Sequence, residues 1–135
     1  MSWEATETTI RAAVEQLRDQ VNELQWALGI KQRPTTRHTV YTILMDSTVP
    51  MEIGANLHSS PYPDEVRGRV QFDVYSPIGE TPSEALADAD AIRGELRGLR
   101  TGPIHFLTPD APRFLGRDDG WFRWVVDCPF KAQEV

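Results

Sequence analysis

The chain has 135 residues, 40% of them hydrophobic and 25% charged, and its 14 Lys and Arg face 20 Asp and Glu for a net charge of −6. That length suits one domain, residues 1–135, able to bury a core without staples, and the acidic balance argues against a surface built to grip nucleic acid, which needs clustered cations. No apolar run approaches the about 18 residues of a membrane helix, and the lone Cys128 rules out an internal disulfide and a cysteine zinc site.

Cys128 reads as a small buried apolar residue. The opening MSWEATETT is acidic and polar where a secretory signal is basic and then apolar, which predicts a cytoplasmic chain. The cations are almost all arginine, Lys31 and Lys131 excepted, from a codon bias or from planar pairing with carboxylates across a subunit interface.

In chain order, Ile10, Val14, Leu17, Val21, Leu24 and Leu28 recur at spacings of three and four and predict an amphipathic helix from about Thr6 to Leu28, stopped by Gly29. The same spacing fits a coiled coil, but it lasts only about three heptads, and core packing is the simpler reading. Lys31 to His38 is a connector. Thr39 to Met45 is a strand with two fairly apolar faces, as in the middle of a sheet. Asp46 to Val66 holds Pro50, Pro61 and Pro63, with a possible strand at Pro50–Ile53 and an exposed loop at His58–Glu65; its length points to a functional loop reaching outside the domain.

Val70, Phe72 and Val74 then alternate with Gln71, Asp73 and Tyr75, the period of a strand with one buried face. Pro77 and Gly79 break it. Thr81 and Glu84 have capping-box spacing around Pro82, opening a helix over about Pro82–Leu99 whose stripe is Leu86, Ala89, Ile92, Leu96 and Leu99. Gly94 and Gly98 in its last turns imply a close approach by the sheet or a neighbouring subunit, or weak final turns. Ile104–Leu107 reads as a short strand, Thr108–Asp119 as a loop, and Asp118-Asp119-Gly120 as a hairpin turn into a strand over Trp121–Phe130, with Phe122, Trp124, Val126, Cys128 and Phe130 on one side. The fold class is α+β: a single mixed or antiparallel sheet of four to five strands with two helices on one face, the other face carrying Gln71, Asp73, Tyr75, Arg123 and Asp127.

Phosphate-loop, dinucleotide, nucleophile-elbow and H-E-x-x-H patterns are missing, so no cofactor, metal or catalytic residue is expected. Glu84 and Asp88 share a helix face and could hold a metal, yet their place in the first turns suits the helix dipole without a ligand. His38, His58 and His105 are scattered; their convergence on a pocket would mark a small cytoplasmic binding domain or enzyme instead.

The Gly68-x-Val70-Gln71-x-Asp73-x-Tyr75-x-Pro77 strand, the capped helix after it and the closing Asp-Gly-aromatic hairpin resemble the tail terminator proteins of long-tailed bacteriophages, and the likeness covers nearly the whole chain in element order. One departure is local: where many relatives carry an aromatic-Pro-Asn sequence after the first helix, this chain has Gln32, Arg33, Pro34 and Thr35. The resemblance implies a structural virion protein without enzymatic activity, assembled in the host cytoplasm into a ring, usually of six copies, at the tail–neck junction. Such a ring caps the tail tube, ends its polymerisation and meets the neck and head, and its partners would be other copies, the tail-tube protein and the neck or head-completion protein. DNA would pass through the lumen without specific binding, and no membrane is involved. A neck or head-closure component, or a tail-tube subunit, shares the size and ring habit. Ring contacts are expected from Met51, Ile53, Leu57 and Tyr62 in the first long loop and from Phe114 and Leu115 in the second, apolar residues that a small core does not need.

Overall fold

The alternation between Val70 and Tyr75 belongs to the middle strand of a seven-stranded sheet. The structure is a computed structural model that describes residues 3–29, 32, 34–50 and 64–133. A helix α1 (Trp3–Glu15) and a 3-10 turn (Gln16–Asp19) lead to β1 (Leu24–Trp26), a second 3-10 turn (Ala27–Gly29), and the long strands β2 (His38–Pro50) and β3 (Asp64–Pro77). Helix α2 (Ser83–Leu96) follows, then β4 (Arg100–Thr101), β5 (Ile104–Phe106), β6 (Arg113–Asp118) and β7 (Trp121–Gln133). The sheet order is β1-β2-β3-β7-β5-β4, with β6 also on β7, and its strand pairs are antiparallel except β1 with β2.

Side chains of β2, β3 and β7 meet in rows across three strands. Thr39, Val74 and Trp124 form one, Tyr41, Phe72 and Val126 the next, then Ile43, Val70 and Cys128, then Met45, Gly68 and Phe130. Period-two alternation sends all of them to the same face, where Ile10, Ala13 and Val14 of α1, Leu17 of the 3-10 turn after it, and Ala85, Ala89, Ile92 and Leu96 of α2 join them in one buried cluster. Burying each large apolar side chain contributes about 1.5–3 kcal/mol, so this face carries most of the fold's stability. Tyr41 closes it toward α1 by donating its hydroxyl to Glu15 Oε1 at 2.7 Å, and burial together with that carboxylate pushes the phenol up to about 12. Cys128 is fully buried as expected, and burial, then the charges of Asp127 and Asp110, push its thiol up to about 12.

Several expectations need correction. The first helix ends at Glu15, not Leu28: Val21 and Leu24 are buried, but from a turn and from β1, which runs parallel to β2, and Leu28 is 78% exposed. A three–four spacing of apolar residues is indifferent to whether the backbone between them stays helical, and Glu23, with a positive φ of 48°, breaks it. The segment from Asp46 to Glu65 is not all loop, because β2 runs through Pro50 and β3 starts at Asp64; whatever lies between is outside the described residues. Seven strands replace four or five, since β1 came from the supposed helix, β6 from the supposed loop after Leu107, and β4 is only two residues long.

Helix α2 is shorter than Pro82–Leu99 and turned relative to its expected stripe. Ala85 and Asp88 are buried, Leu86 is exposed, and no side chain caps the first turn. A Cβ on Gly94 would meet nothing within 4 Å, and Gly98 lies past the helix with φ of 70°, so it turns the chain and does not admit a close neighbour. The Asp119–Gly120 turn does have both residues at positive φ, the two-residue geometry that joins strands of native twist.

Gly68 is where β2 and β3 need the smallest residue: a Cβ there would collide with the Leu44 carbonyl oxygen and lie 2.8 Å from the Phe130 ring. Backbone cannot yield as a side-chain tip can, so Gly68→Ala is expected to destabilise the fold by about 1–3 kcal/mol. Urea unfolding of the variant beside the unaltered chain measures it.

Candidate interaction surface

Phe114 and Leu115 lie on β6, which pairs with β7 on one side and, among the described residues, with nothing on the other. Phe114 stands opposite Trp124, with ring centroids 5.0 Å from Trp124 and 6.0 Å from Phe122, yet 55% of it remains exposed. A register shift follows between Phe114 and Gly116, and Leu115 at this irregularity is 49% exposed. Arg113 leans the other way and donates to Asp127 at 3.1 Å. The two residues expected to make contacts from a loop therefore sit on an open sheet edge, a position that invites pairing with another chain. Met51, Ile53, Leu57 and Tyr62 lie outside the described residues, and so does His58.

The face away from the helices is polar but ordered at its β6–β7 turn end. Asp73, 7% exposed, accepts from Nε and Nη2 of Arg123 at 2.9 and 2.8 Å, a fork that suits a half-covered ion pair. His38 beside it is buried, stacked on Tyr75 with centroids 5.0 Å apart and edge-on to Trp121 at 4.8 Å. His105 is not near His38. The register sets His38 against Tyr75 and Tyr75 against Arg123, whereas His105 faces Lys131, eight residues further along β7, or roughly 26 Å.

Glu84 and Asp88 are brought together by Arg37, a residue the sequence reading passed over. Its Nε donates to Asp88 Oδ2 at 2.8 Å and its Nη1 to Glu84 Oε2, so the connector before β2 is clamped to α2. Asn22 donates its side-chain amide to the Arg37 carbonyl, fixing the same point from the α1–β1 turn. Burial holds the Asp88 carboxyl above its ordinary 3.8 although Arg37 and a backbone N–H from Asn22 both favour the charged form. Among the described residues no group of three or more His, Cys, Asp and Glu is placed to hold a metal ion, and no helix is long and apolar enough to cross a membrane.

No protein-family model matches the chain, and no curated protein does. Among solved structures, one chain aligns over 96% of its own length and 96% of this one at a TM-score of 0.63 and 16% identity, a likeness that establishes the fold alone.

Two variants separate the roles of these residues. Leu115→Asp is expected to change unfolding stability by less than about 0.5 kcal/mol, as at an ordinary surface position. Arg37→Met is expected to cost about 1–3 kcal/mol at neutral pH by leaving the Asp88 carboxylate, 8% exposed, without its cation. The folded chain already binds the Asp88 proton more tightly than the unfolded chain, so this group's contribution to stability grows as pH falls from the raised folded value toward 3.8 and is lost as pH rises through it. Removing Arg37 raises the folded Asp88 value further, so the Arg37→Met deficit shrinks as pH falls through the interval between the variant's folded value and the lower one of the unaltered chain, which thermal melts at a series of pH values would follow.

Proposed function

We propose that this chain is a structural subunit that works by assembling side to side into a closed ring, in the manner of a phage tail terminator that caps a tail tube. The observation carrying this reading is the β6 edge, open among the described residues, with about half of Phe114 and of Leu115 exposed on it, apolar surface that the isolated fold leaves uncovered. The order of elements, a helix, the central strands with Asp64–Pro77 among them, a second helix and an Asp-Gly hairpin, supports the reading. Both helices pack on one sheet face, leaving the other free for a neighbour or for the next ring. The segment between β2 and β3, with Met51, Ile53, Leu57 and Tyr62, would supply a second contact.

Ring closure needs heterologous contacts whose rotation returns to the start, each burying on the order of 800 Å² per partner if the interface is an ordinary stable one. Sedimentation velocity and negative-stain images of the purified chain, with and without tail tubes, test the proposal. Closed rings, or caps on tube ends, are expected, and Phe114→Asp should stay folded but assemble at least tenfold more weakly. A chain that stays solitary at high concentration and leaves tube growth unchanged would overturn it.

A further inference from the structure

The register aligns four basic side chains across four strands: Arg67 of β3 faces Lys131 of β7, Lys131 faces His105 of β5, and His105 faces Arg100 of β4. Their chain neighbours Val66, Ala132, Ile104 and Phe106 are buried in the core, so the row projects from the sheet face away from the helices and ends at the β4 edge. Arg67 and Lys131 are like charges directly opposite one another, an arrangement that destabilises a sheet. Asp73 and Asp127, further along the face, are engaged by Arg123 and by Arg113 and Arg69. Among the described residues no carboxylate pairs with Lys131 or Arg100, and the His105 Nδ1 is buried without a hydrogen-bond partner. Burial, followed by the charges of Arg100 and Lys131, lowers the pKa of the His105 ring.

The other end of β7 has the opposite charge. Asp118 and Asp119 lie at the β6–β7 turn and Glu80 in the turn after β3, all exposed, and the two turns are joined by the Ile78 N–H donating to the Gly120 carbonyl at 3.0 Å. Ten residues of strand, about 33 Å, separate Trp121 at this end from Lys131 at the basic end. Apart from Arg67, Arg100 and Lys131 the chain has 11 Lys and Arg against 20 Asp and Glu, so the most abundant complement to the basic row is the surface of another copy.

We infer that the Arg67–Lys131–His105–Arg100 row of one copy docks on the Glu80, Asp118 and Asp119 turns of a second copy, head to tail. The inference rests on the ring reading and deepens it by naming two distinct, complementary patches, as a heterologous contact requires. A nucleic acid is the lesser fit, because the acidic remainder of the surface repels a polyanion that the row would attract.

Charge reversal tests it. Arg100→Glu with Lys131→Glu makes both ends acidic, and Glu80→Lys with Asp118→Lys makes both ends basic; Asp119 is left alone because of its positive φ. Each variant alone is expected to associate at least tenfold more weakly in sedimentation velocity at low salt, and an equimolar mixture of the two should regain assembly, since each now complements the other. Raising salt should weaken association of the unaltered chain. If a reversed variant melts early, the milder Arg100→Gln with Lys131→Gln carries the same expectation. Assembly that ignores every reversal, or a mixture that stays dissociated, overturns the inference and leaves the ring reading standing. An unaltered chain that never associates sinks the ring reading itself, and with it the inference. Binding of a labelled DNA duplex that Arg100→Glu with Lys131→Glu abolishes while assembly is intact would also overturn it and give the row to phosphate.

Discussion

The long antiparallel register of β2, β3 and β7 is the constraint on which the rest of the molecule depends. Twelve partners are fixed between β2 and β3 and thirteen between β3 and β7, so one face of the sheet receives Tyr41, Phe72, Val126 and Cys128 and the other receives Asp73, Arg123, Arg67 and Lys131. A slip of one residue would send every one of these to the wrong side, burying charge and exposing aromatics. Gly68 marks where that register comes under most crowding, and the irregularity between Met45 and Ser47 in β2 lies directly beside it. Both surface patches inherit their geometry from this frame, Phe114 through its pairing with Trp124 and the basic row through Lys131.

Arg37 ties the periphery to that frame. It stands in the connector just before β2 and reaches α2, which follows β3, so one guanidinium spans a gap of 51 residues in sequence to Asp88. Planar, always charged and able to address two carboxylates at once, arginine suits this post better than lysine would. The preference for arginine throughout the chain thus has structural instances within the subunit, Arg37 with Glu84 and Asp88 and Arg123 with Asp73.

The sequence made some elements legible and hid others for physical reasons. β3 and β7 are plain because each alternates large core side chains such as Phe72 and Trp124 with more polar neighbours, and the turn into β7 is plain because Asp119 and Gly120 tolerate positive φ. β1 was hidden because Val21 and Leu24 are buried at a spacing that also fits a helix, and burial alone does not reveal the backbone between. β6 was hidden because an edge strand with a bulge and both Phe114 and Leu115 exposed has no apolar side to alternate with. Their exposure was foreseen and their secondary structure was not. The basic row was invisible for a different reason: Arg67, His105 and Lys131 alternate correctly within their own strands, but only the pairing of those strands makes them neighbours.

Local conflicts in the structure are not spread evenly. The core has matched rows and a hydrogen-bonded Tyr41, whereas apolar side chains exposed on the β6 edge and basic side chains aligned at the β4 and β5 end of the sheet are unfavourable for a solitary domain. Sequences break local rules where something other than the fold of one subunit sets the requirement. These conflicts lie on the β6 edge and on the sheet face away from the helices, while Tyr41 and Cys128, whose proton affinities are the most altered, are buried in the core. Under the proposed assembly, a neighbouring copy would cover both features and supply the stabilisation that a solitary domain lacks.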